Sequence, residues 1–320
     1  MQKIDRFYPI LIPTLNRYEH FKICVESLAR NTHADKTELV IGLDYPPSDK
    51  YMQGYLKIKE YVSTISGFAK ITIIKHKTNV GAGGNIRSLR EYGFKHYEAV
   101  ISTEDDNEFS PCFLDYMNKM LKYYKNDKKI SSICGYNNLG CYNLSSKQSI
   151  LLSKDTSAWG LGLWKNKESD FKAIEKDYYS NVLYSFSRSM KLLFSYPASF
   201  SMLLHMVMTN SDYGDVKRTT LNILNKTYQC RPLISLVRNH GQDGTGLHSQ
   251  KDNGEYENQI ISFETKFIRE NSKKTLKCSY FSLLFRGLST NPFRALLSIA
   301  HILFKYLYIR LKKNESFVVL

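Results

Sequence analysis

Three consecutive acids, Glu104, Asp105 and Asp106, follow the short apolar run Ala99-Val100-Ile101. Adjacent carboxylates repel one another, so a plain turn gains nothing from holding three together. A hard divalent cation reverses that cost, because it takes carboxylate oxygens as ligands and bridges them to phosphate. The apolar run before them matches where open α/β sheets bind ligands, beyond the carboxyl ends of buried strands. On this stretch alone a solvated acidic loop is an equal alternative. Two arginines, Arg17 and Arg87, carry the fork geometry that suits phosphate oxygens. The segment Gly81-Ala82-Gly83-Gly84 lacks both the G-x-G-x-x-G order and the terminal Lys-Ser/Thr of a P-loop, so it reads as a turn allowing close backbone approach.

Those groups need a scaffold, and the first 135 residues alternate strand and helix patterns. Apolar runs at residues 8–12, 38–43, 71–74, 99–101 and 130–135 read as strands. Between them, Phe21, Cys24, Val25 and Leu28 share one helical face, as do Met52, Tyr55, Leu56 and Val62. Ile86 and Leu89 mark a third helix after the glycine-rich turn, and Phe113, Met117, Met120, Leu121 and Tyr124 a fourth. This alternation predicts an α/β fold with a doubly wound, mostly parallel, Rossmann-like sheet. The stretch 157–164 places both tryptophans, Trp159 and Trp164, in a glycine-rich loop. From there to about residue 205 the order of elements is not legible. A helix over 212–225, a short strand over 232–237 and a polar glycine-rich loop over 238–248 follow. We divide the chain at 1–138, 139–255 and 256–320.

Composition narrows the classes. The 320 residues, 42% hydrophobic and 23% charged, suit a globular chain able to bury a large core. The net charge of +15 calls for an anionic partner. The six cysteines have no C-x-x-C or C-x-x-H grouping, which argues against structural zinc and for buried thiols. The amino-terminal residues include no apolar signal region, so a cytoplasmic location is expected. From Lys273 onward there are nine Lys or Arg residues and one acid, Glu315, among many apolar and aromatic residues. Residues 295–311 are too short and too charged to span a bilayer comfortably, which takes about 20 apolar residues. They suit an amphipathic helix lying on an anionic membrane surface, or a helix packed on the domain with a basic outer face.

With these pieces in order, the chain resembles the GT-A glycosyltransferases, in particular inverting enzymes of the N-acetylglucosaminyltransferase I type and bacterial family 2. The opening Pro9-Ile10-Leu11-Ile12-Pro13-Thr14-Leu15-Asn16-Arg17 is similar to their first strand and its turn. Glu104-Asp105-Asp106 with Phe109-Ser110-Pro111 resembles their E-D-D form of the D-x-D motif. Ser131-Ser132-Ile133-Cys134-Gly135-Tyr136-Asn137-Asn138 resembles the strand behind it. Thr209-Asn210-Ser211-Asp212 resembles the segment bearing the catalytic base, although the tryptophan usual before that aspartate is missing. The matches run from about residue 8 to 250.

The resemblance implies transfer of a sugar from a nucleoside-diphosphate donor, a UDP-sugar by preference, to a saccharide or lipid-linked acceptor in surface polysaccharide synthesis. It implies a GT-A type sheet with acceptor-side additions and a carboxyl-terminal helical tail. Asp106 would ligate Mn²⁺ or Mg²⁺, with His248 completing the metal or diphosphate site. Asp44 would read the nucleobase, while Pro13, Asn16, Arg17, Arg87, Glu104 and Asp105 would line the donor site. Asp212 would be the base, with Asp215 the alternative. Trp159, Gly160 and Trp164 would form the acceptor platform, unless the tryptophans are core anchors. The enzyme would work on the inner face of the cell membrane. A sugar-phosphate nucleotidyltransferase is the runner-up, but a glycine-rich basic loop is missing near the first strand. A nucleic-acid-binding protein is a third reading, disfavoured because the charge excess sits in the tail and no nucleic-acid motif is present.

Overall fold

The computed structural model describes residues 7–137, 150–172, 174, 177–245, 259–263, 276–277 and 300–311. The first part alternates as expected: β1 (Ile10–Thr14), α1 (Tyr18–Ala29), β2 (Glu38–Leu43), α2 (Met52–Tyr61), β3 (Lys70–Lys75), α3 (Gly81–His96) and β4 (Ala99–Ser102). Then come β5 (Asn107–Phe109), α4 (Phe113–Tyr123), β6 (Ile130–Cys134), β7 (Ile150–Ser153) and β8 (Leu161–Trp164). A helical layer follows, built from α5 (Lys165–Lys172), α6 (Asp177–Tyr184), α7 (Phe186–Ser195), α8 (Pro197–Thr209) and α9 (Gly214–Asn225). The chain returns through β9 (Tyr228–Pro232), β10 (Val237–Asn239) and β11 (Leu276–Lys277), and helix α10 covers residues 300–311.

Among the described residues nine strands form one sheet, in the order β11-β7-β9-β6-β8-β4-β1-β2-β3. β3, β2, β1 and β4 run parallel, while β8 lies antiparallel between β4 and β6. Successive strand residues face opposite sides, so Ile10, Ile12, Ile41 and Ile101 pack under α1 and α4 while Leu11, Val40 and Val100 pack under α3. Both faces are therefore covered, which is the doubly wound, mostly parallel sheet the alternation predicted. Helices α6 to α10 enclose a further core of Tyr179, Leu183, Leu192, Phe200, Leu204, Val216, Ile302, Tyr306 and Ile309.

Pro13 lies inside β1 rather than ending it, although β1 is a central strand. The Pro9 and Leu11 carbonyls accept from β4, whereas the Thr14 carbonyl accepts from Asp44 beyond β2. That alternation turns the edge of Pro13 toward β4, whose pairing with β1 stops at Ser102. The missing N–H therefore costs no ladder bond.

Three local expectations are corrected. Residues 161–164 are a buried strand, not a loop: a Cβ on Gly162 would stand 2.9 Å from Met117 and 3.0 Å from Leu121, so glycine there lets α4 lie close on β8. On α2 the face is set by Tyr55 and Ile58, and Leu56 points to solvent. The segment 232–237 is the link between β9 and β10.

Charge ties fasten the layers. Buried Glu168 on α5 is shared by Arg90 of α3 and Arg218 of α9. Burial and the Arg218 charge lower Arg90 to about 10 despite that carboxylate. On the same, α3-covered face of the sheet Glu38 accepts from Thr72 at 2.6 Å, Tyr97 at 2.5 Å, Lys70 at 2.9 Å and Tyr92 at 2.9 Å. Burial raises its affinity for a proton, but these four donors outweigh burial and hold it at about 2. A depressed carboxylate stabilises the fold above its unfolded value and loses that contribution as pH falls through the folded one. Glu38→Gln should therefore cost about 2 kcal/mol at neutral pH, with the Tm gap to the parent protein closing between about pH 4.5 and 2.

Candidate active site

The acids sit where β4 leaves the sheet, beside the turn that leaves β1. Thr14 Oγ1 donates to Asp105 Oδ2 at 2.8 Å. Arg17 spans the pair, its Nη2 lying 2.5 Å from Asp105 Oδ1 and 2.8 Å from Asp106 Oδ2. Glu104 accepts from Trp159 Nε1 at 2.9 Å. Burial, reinforced by the neighbouring Asp106, pushes Glu104 up to about 7. Burial likewise raises Asp105, against the Arg17 charge. For Arg17 itself burial acts downward, yet the charges of Asp105 and Asp106 prevail and hold it above its ordinary value.

A second, two-stranded sheet completes the site from the far end of the chain. β10 pairs antiparallel with β5, placing Val237 opposite Phe109 and Asn239 opposite Asn107. Asn239 Nδ2 donates to Asp106 Oδ1 at 2.8 Å, and the His240 amide donates to the Asp106 carbonyl at 2.8 Å. His240 pairs with Glu108 at 3.0 Å, and His20 from α1 reaches Asp243 at 3.2 Å. The His240 hydrogen bond, opposed by burial and aided by Arg238, keeps Glu108 below the usual carboxylate range. The sequence marked 238–248 as a polar loop but singled out only His248, which lies outside the described residues.

Gly241 closes the ring. A Cβ there would fall 2.0 Å from Asp106 Oδ2 and 3.3 Å from Arg17 Nη1. Gly241→Ala should force the 239–243 loop off Asp106, with an overpacking cost of about 1–3 kcal/mol. The Tm should fall by a corresponding amount, while the far-ultraviolet spectrum stays unchanged.

The other expected residues divide. Asp44 is buried at the end of β2, where Oδ1 accepts from the Tyr45 and Val80 amides and Oδ2 from Asn79. It thus anchors the start of α3, and Oδ2 keeps room for one more donor. Asn16 sits in the β1–α1 turn against Gly54 of α2. Arg87 is exposed on the second turn of α3, whose first turn is the glycine run itself. Trp159 is half-buried beside Glu104, with Tyr136 edge-on at 4.5 Å. Two members of the expected acceptor platform are corrected. Trp164 is only 2% exposed and donates to the Leu121 carbonyl at 3.0 Å, so it anchors the core. Gly160 is buried under Phe113 and Val237 and offers no surface.

Asp212 occupies the turn between α8 and α9, 71% exposed and paired with Lys217 at 2.7 Å. Asp215 lies in the first turn of α9, its Oδ1 accepting from the Val216 amide. Among the described residues no hydrogen bond or ion pair joins Asp212 to the three acids.

The donor set fits a hard cation in one sense. No group of three or more His, Cys, Asp or Glu able to cage a metal occurs among the described residues. One carboxylate oxygen is nonetheless enough for Mg²⁺ or Mn²⁺ when substrate phosphates and water supply the other ligands. Asp106 Oδ2, shared here with Arg17, is such an oxygen.

Compared with known protein families and curated sequences, the chain matches none. Among solved structures it is similar to the mannosyltransferase PcManGT from Pyrobaculum calidifontis, in complex with GDP-Man and Mn2+, at 10% identity, TM-score 0.38 and 68% of each chain. It is also similar to S. aureus TarS at 11% identity and TM-score 0.37, where 69% of this chain covers 43% of that one, so it spans less than half of TarS. For TarS 1-349 the figures are 11% identity, TM-score 0.36, and 69% and 71% coverage.

Proposed function

We propose that the chain is a glycosyltransferase that moves a sugar from a nucleoside-diphosphate donor to a saccharide or lipid-linked acceptor, with inversion. One observation carries this reading. At the acidic end of β4, Arg17 Nη1 is buried without a hydrogen-bond partner among the described residues, beside Asp106 and Gly241. A buried guanidinium donor left unpaired is costly, and a phosphate oxygen meets it with the strong geometry arginine offers.

In this reading Asp44 takes a nucleobase N–H on its free Oδ2 site, and a uracil base is the preferred fit. Arg17 binds the diphosphate, while Thr14 and Arg17 fix Asp105 toward the ribose or sugar. Asp106 would hold Mn²⁺ or Mg²⁺ together with the diphosphate, and the cation would supply charge stabilisation as the leaving group departs. Trp159, fixed by Glu104, faces the acceptor. Asp212 takes the proton from the acceptor hydroxyl as its oxygen attacks the anomeric carbon and the bond to the diphosphate breaks. One displacement at that carbon inverts its configuration. We place the activity on the cytoplasmic side of the membrane, in assembly of surface polysaccharide.

A thermal-shift panel of nucleoside diphosphates with and without Mn²⁺ tests the donor site. One nucleotide should stabilise the protein by about 2.7 kcal/mol at about a hundred times its Kd. Turnover should release nucleoside diphosphate. Release of pyrophosphate would instead establish a nucleotidyltransferase. In the same assay Asp212→Asn should bind donor yet fail to transfer, and a matching loss in Asp215→Asn alone would move the base there.

A further inference from the structure

Helix α10, residues 300–311, is apolar on two sides. Ile302, Tyr306 and Ile309 are buried in the helical core, with Tyr306 against Phe200 at 5.9 Å. At about 100° per residue, Phe304, Leu307 and Leu311 fall together on the opposite side, and they are 70%, 56% and 62% exposed. Leu303 and Tyr308, also exposed, widen this strip to about 140° of the helix surface. Arg310 borders the strip on the Leu303 side, and His301 and Lys305 border it on the Tyr308 side. No acid occurs in the helix, and Lys312 and Lys313 follow it in sequence. In the same helical layer Phe186 and Phe194 of α7 and Met202 and Met208 of α8 are exposed.

An apolar strip of this length left in water is unusual unless something covers it. No helix among the described residues is long and apolar enough to cross a membrane. We infer that the outer face of α10 is a docking surface for an anionic lipid bilayer, with the strip entering the headgroup–acyl boundary and its basic borders meeting lipid phosphates. Charge decides between occupants. A second copy would bring the same basic borders and the same +15 chain, so it would be repelled where an anionic surface is attracted. The expected alternatives for this tail, packing on the domain or lying on a membrane, then become two sides of one helix. The inference does not depend on what is transferred at the acidic site.

The test is co-sedimentation of the full chain, without nucleotide, with phosphatidylcholine vesicles containing or lacking phosphatidylglycerol. The protein should pellet with the anionic vesicles, less so as salt is raised. The double variant Phe304→Asp, Leu307→Asp should bind at least about tenfold more weakly, and Lys305→Glu about fivefold or more. Both substitute exposed or half-exposed positions, so Tm should hold, and nucleoside-diphosphate binding should persist. Absence of pelleting, or pelleting that both variants leave unchanged, overturns the inference. So does a wild-type dimer by light scattering that the double variant dissolves while no vesicles bind, which would make the strip a subunit interface. Loss of transfer with vesicle binding intact would count against the transferase reading alone.

Discussion

Asp106→Asn should lower transfer by about a thousandfold while leaving the fold in place. The substitution keeps the shape of the side chain and its contact with Asn239, which lies 2.8 Å from Oδ1. Arg17 also retains Asp105 as a partner at 2.5 Å, so the buried cation is not stranded. What disappears is the carboxylate charge that, in the proposed reaction, would face the leaving diphosphate. The loss should therefore fall on kcat more than on KM, because that charge matters most as the bond breaks. Chelator should stop the parent enzyme and added Mn²⁺ restore it. A variant within tenfold of the parent, or turnover indifferent to chelator, would place the leaving-group stabilisation on Arg17 alone.

Much of this frame was legible because its signals are local. A buried parallel strand is a continuous apolar run, and Ile10-Leu11-Ile12, Leu39-Val40-Ile41 and Ala99-Val100-Ile101 all became strands. The faces read for α1 and α4 are the buried ones, since period and burial agree there. Legibility ended where packing between distant segments decides. Gly162 looked like a loop residue, and only the closeness of Met117 and Leu121 explains it within a strand. Leu56 and Ile58 lie two residues apart on α2, and the pattern alone chose the wrong one.

The candidate site divides in the same way. Its acids stood out as a cluster of like charge, and Arg17 as a cation near the first strand. Asn239, His240 and Gly241 did not, because β10 brings them to Asp106 across more than a hundred residues of sequence. A polar glycine-rich stretch states that a loop exists, not which carboxylate it will meet. The helical layer was equally silent. Its order rests on ties such as Glu168 to Arg90 and Arg218, which pair residues from three separate helices.

Arg17→Ala should be the most damaging single change at the site. Asp105 and Asp106 are both buried, and Arg17 is the cation between them. Removing one partner of a buried charge network costs about 3–5 kcal/mol, and the lower end applies because Arg17 keeps some solvent contact. Arg17→Lys restores the charge but not the planar fork, so it should recover most of the stability and little of the nucleoside-diphosphate affinity. A divalent cation offers the stranded carboxylates a substitute counter-charge. Mn²⁺ without nucleotide should thus raise the Tm of Arg17→Ala more than that of the parent, in which the guanidinium already occupies Asp106 Oδ2. An Arg17→Ala protein as stable as the parent would mean that the two aspartates share a proton instead. In that case the Asp105 carboxyl would carry the proton, as burial already favours, and Arg17 would serve the diphosphate without being needed by the fold.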